Sequence, residues 1–108
     1  MHLALATAIV LVTLAAPSLH AAGAEELFTK NCAPCHGKDG KGNTPAGKKA
    51  GAKDLTISKT TPAEVEKQIT EGKIDPKRKT NMPAFGDKIS KEEIKSLTDF
   101  VLAFRKGG

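Results

Sequence analysis

Apolar residues recur at helical spacing in three stretches of the chain. Over residues 24–31, Ala24, Leu27 and Phe28 share one face with Asn31, at i, i+3, i+4 and i+7, and Glu25 and Glu26 suit the positive end of a helix. Thr61-Pro62-Ala63-Glu64 predicts a second helix, with Thr61 as N-cap, Pro62 at the first turn and Glu64 closing a capping box. Val65 and Ile69 make its buried face and Gly72 ends it. Ser90 and Glu93 form a second capping box, followed by a stripe of Ile94, Leu97, Val101 and Phe104 with Phe100 beside it. That helix is predicted to run to about Arg105 and to end at Gly107, with Arg105 and Lys106 at its negative end. No period-two alternation or internal repeat is present, which predicts an all-α protein.

Between these stretches the pattern breaks down. Residues 37–51 carry Gly37, Gly40, Gly42, Gly47 and Gly51 among Lys38, Lys41, Lys48 and Lys49, and read as loop. The spacing does not match a phosphate-binding Gly-x-x-x-x-Gly-Lys-Ser/Thr loop. Asp54-Leu55-Thr56 predicts a turn, with Leu55 and Ile57 pointing inward. Lys73 to Thr80 is basic and turn-rich around Asp75-Pro76.

An apolar run from Leu3 to Ala16 precedes all of this and is broken by Pro17 and Ser18. Ala22-Gly23-Ala24 has the small-x-small form of a signal-peptidase site, so residues 1–24 are predicted to be a signal peptide cut after Ala22 or Ala24. Its start, Met1-His2, lacks the usual Lys or Arg, and an uncleaved anchor is the alternative. The run of about 14 residues falls short of the roughly 20 that span a bilayer. Residues 25–108 then form one small exported domain, expected in the periplasm with no stable membrane insertion after cleavage.

Composition sharpens the picture. The chain has no Trp, no Tyr and only four Phe, at positions 28, 85, 100 and 104, which is a poor core for so small a domain. A bound apolar group is expected to complete it. Seventeen Lys+Arg against twelve Asp+Glu give a net charge of +5, spread along the chain. Such spread charge is often no more than a solvated surface; read functionally, it is a positive face for an acidic protein partner. Export and the lack of aromatics among the basic residues argue against nucleic acid.

The candidate chemistry lies in Cys32-Ala33-Pro34-Cys35-His36, which holds both cysteines of the chain. Cys-x-x-Cys-His is the pattern of c-type haem attachment: each thiol forms a thioether with a porphyrin vinyl group, and the histidine lies under the iron. Other readings of the pair are a thioredoxin-like dithiol, half a zinc site or a structural disulfide. The first expects a βαβ setting and the second four ligands, and a disulfide leaves His36 unexplained. Once His2 and His20 leave with the signal, His36 is the only histidine. Met82, the only methionine after Met1, is followed by Pro83, which favours presentation from a loop. Beside a haem motif it is the candidate second axial ligand, although a lone methionine is more often a core filler.

Taken with Asp54-Leu55-Thr56, with Met82-Pro83-Ala84-Phe85-Gly86 and with Leu97 ahead of Phe100-Val101, the chain resembles a small bacterial class I monohaem cytochrome c over essentially its whole length after the signal. The resemblance implies a cytochrome c fold with N- and C-terminal helices crossing and loops wrapping one covalent haem c. It implies Phe28 meeting Leu97 and Phe100, and haem-pocket packing by Phe28, Pro45, Leu55, Pro83, Phe85, Leu97 and Phe100. It also implies a proline carbonyl orienting the proximal histidine, for which Pro45 is the candidate. The function implied is one-electron transfer by a soluble, monomeric, non-enzymatic carrier. The alternatives are a haem c subunit of a larger oxidoreductase, a sensor or peroxidase with a labile Met82, and, without haem, a periplasmic dithiol protein.

Overall fold

The computed structural model describes residues 4, 6–11 and 23–105. The predicted signal peptide falls largely outside these residues, as does Gly107. Among the described residues no helix is long and apolar enough to cross a membrane.

Among the described residues five helices and one small hairpin follow in order: α1 (Ala24–Asn31), α2 (Ala33–His36), α3 (Pro45–Ala50), α4 (Pro62–Glu71), β1 (Lys73–Asp75), a 3₁₀ turn (Pro76–Arg78), β2 (Thr80–Met82) and α5 (Lys91–Ala103). The three long helices lie where the apolar pattern puts them. Both capping boxes form. Ser90 Oγ accepts from the Glu93 N–H at 3.1 Å while the Ser90 N–H donates to Glu93 Oε1 at 3.0 Å, and Thr61 and Glu64 repeat the arrangement. α5 stops at Ala103, earlier than its sequence suggests, because the chain tightens there: the Phe104 and Arg105 N–H groups bond three residues back, to Val101 and Leu102.

α5 packs against α1 and α4, and its buried face is Ile94, Leu97, Thr98 and Val101. Leu97 is wholly buried and meets Leu27, Phe28, Val65 and Ile69 in one cluster. Thr98 satisfies its hydroxyl by donating to the Ile94 carbonyl at 2.8 Å. Phe28, Phe100 and Phe104 form a triangle with ring centroids 5.1–5.5 Å apart, so the expected meeting of α1 and α5 through Phe28 and Phe100 is realised. Each such pair adds about 0.5–1.5 kcal/mol beyond area burial.

Three expectations need correction. Residues 45–50 are helical, not loop: Thr44 Oγ1 caps them by accepting from the Gly47 N–H at 2.9 Å, with Pro45 at the first turn. Residues 73–82 form an antiparallel hairpin, Lys73 opposite Met82 and Asp75 opposite Thr80, in strands too short to show alternation. Ile57 points outward, 74% exposed, since the Asp54–Thr56 turn brings Leu55 alone against the core.

Candidate functional site

The site is assembled from both ends of the chain. α1 delivers Cys32, whose N–H donates to the Phe28 carbonyl at 2.8 Å, and α2 carries Cys35 and His36 about one turn further on. No disulfide joins the two cysteines. Burial first, and the charge of Cys35 second, push the Cys32 thiol up to about 11, so it stays protonated.

α3 braces this segment. The Thr44 hydroxyl lies 2.7 Å from the Pro34 carbonyl and 2.9 Å from that of Cys35, and donates to them. Gly47 packs directly on the Cys35 carbonyl, where any Cβ would collide. The loop then turns back. The Gly42 N–H bonds the His36 carbonyl at 2.7 Å, and the Leu55 N–H bonds the Gly40 carbonyl at 2.7 Å. A Cβ on Gly42 would fall 2.9 Å from the Ala52 carbonyl oxygen, so residues 52–53 lie close beneath the loop. That places the Lys53 carbonyl 3.0 Å from His36 Nδ1. With Nδ1–H donating there, Nε2 keeps its lone pair free for a metal. Burial lowers the His36 pKa against the smaller opposing pull of the Lys53 carbonyl, which favours the neutral imidazole. The orienting carbonyl is therefore that of Lys53 and not of Pro45. Pro45 opens α3, is exposed, and does not reach the cleft.

Met82 comes from the other side of the sequence. It ends β2, paired with Lys73, and its carbonyl rests on Gly72, where a Cβ would approach to 2.5 Å. Beyond it, the Phe85 and Gly86 N–H groups donate to the Ile69 and Thr70 carbonyls at 2.9 and 3.0 Å. These are carbonyls of the last turn of α4, which otherwise lack partners, so the Met82 loop is pinned to a helix end.

Cys32, Cys35, His36 and Met82 all line one cleft of about 1050 Å³, counting the space at its open mouth. Phe28, Leu55, Pro83 and Phe85 line it, together with Val65, Ile69 and Val101. Leu97 and Phe100 do not: they lie in the helix interface and aromatic triangle behind it. The charged side chains on its wall are Lys53, Lys73 and Arg105, with no carboxylate among the lining residues. Two thiols, an imidazole nitrogen and a thioether on one apolar cleft form a donor set that suits a covalently held porphyrin. Thr44 and Lys53 went unnoticed in the sequence, and Gly47 was read only as one of the glycines of a loop. Thr44-Pro45 does repeat the Thr-Pro helix start seen at Thr61-Pro62, while a backbone carbonyl leaves no trace in residue type.

Residues 20–101 match the family described as cytochrome C oxidase, cbb3-type, subunit III. The chain belongs to this cytochrome c family. It is 38% identical over 76 residues to the cbb3-type cytochrome c oxidase subunit FixP of Azorhizobium caulinodans, and 34% identical over 87 residues to FixP of Rhizobium etli. Those matches cover 70% and 81% of this chain but only 24% and 29% of the FixP proteins, so the chain spans about a quarter of their length. Cytochrome c6 of Microcystis aeruginosa is 34% identical over 83 residues, covering 76% of this chain and 94% of that protein. The solved structure of the KustC0563 c-type cytochrome superposes with a TM-score of 0.66 at 31% identity, covering 78% of this chain and 99% of its own. The fold is that of cytochrome c, and the family carries covalently attached haem c, a single one in a domain of this size.

Proposed function

We propose that the protein is a one-electron carrier in which Cys32 and Cys35 hold the haem through thioethers and His36 Nε2 and Met82 Sδ ligate its iron. The observation that carries this reading is the convergence of all four residues on one apolar cleft from α1, α2 and β2. When bound, haem c supplies a one-electron change at iron, and ligation by His and Met raises its potential. The chain's own residues do the rest. The Lys53 carbonyl fixes the His36 ring, Gly72 and the end of α4 hold the Met82 loop, and Phe28, Leu55 and Phe85 exclude water. A haem held by both His36 and Met82 would leave no open position for substrate, which supports a carrier over an enzyme.

The donor and acceptor are read as acidic proteins, met by a monomer in the periplasm after signal cleavage. Net charge of +5 supports this, as does the hairpin, where exposed Ile74 stands among Lys73, Lys77, Arg78 and Lys79. The ferrous holoprotein, exposed to carbon monoxide at neutral pH, tests the ligation: no spectral change is expected, and ready binding would indicate a labile Met82 and a sensor or peroxidase. A second reading, a haem c subunit within a larger oxidoreductase, is favoured by the similarity to the FixP subunits. Mild-detergent purification separates the two: a carrier elutes alone, a subunit with its complex.

A further inference from the structure

Arg105 follows the last turn of α5, half-buried on the wall of the cleft. Its Nη2 donates to the Thr60 carbonyl at 2.6 Å and lies 3.4 Å from Ser58 Oγ. These contacts span 45 and 47 residues of sequence and fix the guanidinium between α5 and the segment entering α4. Both partners are neutral. Among the described residues no carboxylate lies within ion-pair distance of Arg105, and none lines the cleft. A permanent cation held against an apolar wall without a counter-charge is costly unless the occupant of the cleft brings an anion. Haem brings two carboxylates on its propionate side chains. Lys53 is exposed, with its carbonyl committed to His36, and Lys73 is a flexible point charge on β1. Only Arg105 is preorganised, with donors on Nε and Nη1 that no protein acceptor takes among the described residues.

We propose that Arg105 binds a propionate carboxylate of the haem and thereby fixes the orientation of the ring and helps set its potential. This rests on haem c occupying the cleft, not on the identity of the axial ligands. The cation stabilises the ferrous state, which carries one positive charge less, and keeps the carboxylate ionised. The test is spectroelectrochemical titration of wild-type, Arg105→Gln and Arg105→Lys holoproteins from pH 5 to 9. For Arg105→Gln the potential should fall, and should decline further as pH rises through neutrality while the released carboxyl loses its proton. Arg105→Lys, which keeps charge without the fork, should fall less and in the same direction; it decides the matter if the glutamine variant does not accumulate. Thr60 and Ser58 could make Arg105 a purely structural strap, and then thermal stability alone would drop. A potential and pH profile equal to wild type, whatever the melting temperature, would overturn the assignment. Absorption spectra of the same samples keep this distinct from a failure of Met82 ligation, which would show already in the wild-type ferric spectrum.

Discussion

Thr44 is one side chain on which the geometry of the haem-binding segment depends. Thr44→Val keeps the shape and removes the hydroxyl. Two losses follow. The Pro34 and Cys35 carbonyls, 2.7 and 2.9 Å away, lose their shared donor, which costs about 1 kcal/mol. The Gly47 N–H, 2.9 Å away in a buried residue, loses the cap of α3, typically another ~1 kcal/mol. Together they amount to about 2 kcal/mol. At about 4–8 °C per kcal/mol for a domain of this size, the melting temperature should fall by roughly 8–16 °C. Circular dichroism of the ferric holoprotein during heating measures it, with Thr44→Ser as the control that keeps every bond. A loss below about 0.5 kcal/mol for Thr44→Val, or an equal loss for Thr44→Ser, would refute the claim that this hydroxyl braces the segment.

Truncating Phe28→Ala removes the ring shared by the aromatic triangle and the cleft wall, and should destabilise the holoprotein by about 3–5 kcal/mol in denaturant titration. The Asp54 carboxyl is held below its ordinary range, first by the Thr56 hydroxyl at 2.6 Å and then by the Thr56 N–H at 2.9 Å. Its contribution is present above the unfolded carboxylate pKa of about 4 and is lost as pH falls through the lower folded value. Wild type should therefore lose its stability advantage over Asp54→Leu on acidification below about pH 4, and a constant difference in melting temperature from pH 7 to 2 would contradict this.

The long helices were legible because each carries redundant signals. α4 and α5 combine a capping box with an apolar stripe, and α1 combines its stripe with acidic residues at the start. α3 has only Thr44-Pro45, and its six residues include Gly47, present for close approach to Cys35 and not for helix propensity. The hairpin has three-residue strands, below the length at which alternation can be read. At the proposed site, Cys32, Cys35 and His36 were candidates from spacing, and Met82 from being the one methionine after Met1; the structure brings the four to one cleft. The Lys53 carbonyl was not visible, because any residue supplies one. Leu97 and Phe100 were assigned to the haem pocket from the resemblance, whereas the packing of α1 on α5 turns them toward Leu27, Phe28 and Phe104. Sequence periodicity shows which residues are inside, but not whether they face a cofactor or another helix.

The central claim, haem c held by Cys32 and Cys35 with His36 and Met82 on its iron, is tested most directly by visible and near-infrared absorption of the exported protein, oxidised and then reduced, beside Met82→Ala. Sharp reduced bands, with a weak far-red methionine-to-iron band in the ferric wild type that vanishes in Met82→Ala, are the predicted result. Haem bands without that far-red feature in the wild type, or its persistence in Met82→Ala, would contradict the ligation, and a colourless folded protein after expression with a competent haem-attachment system would contradict the account as a whole.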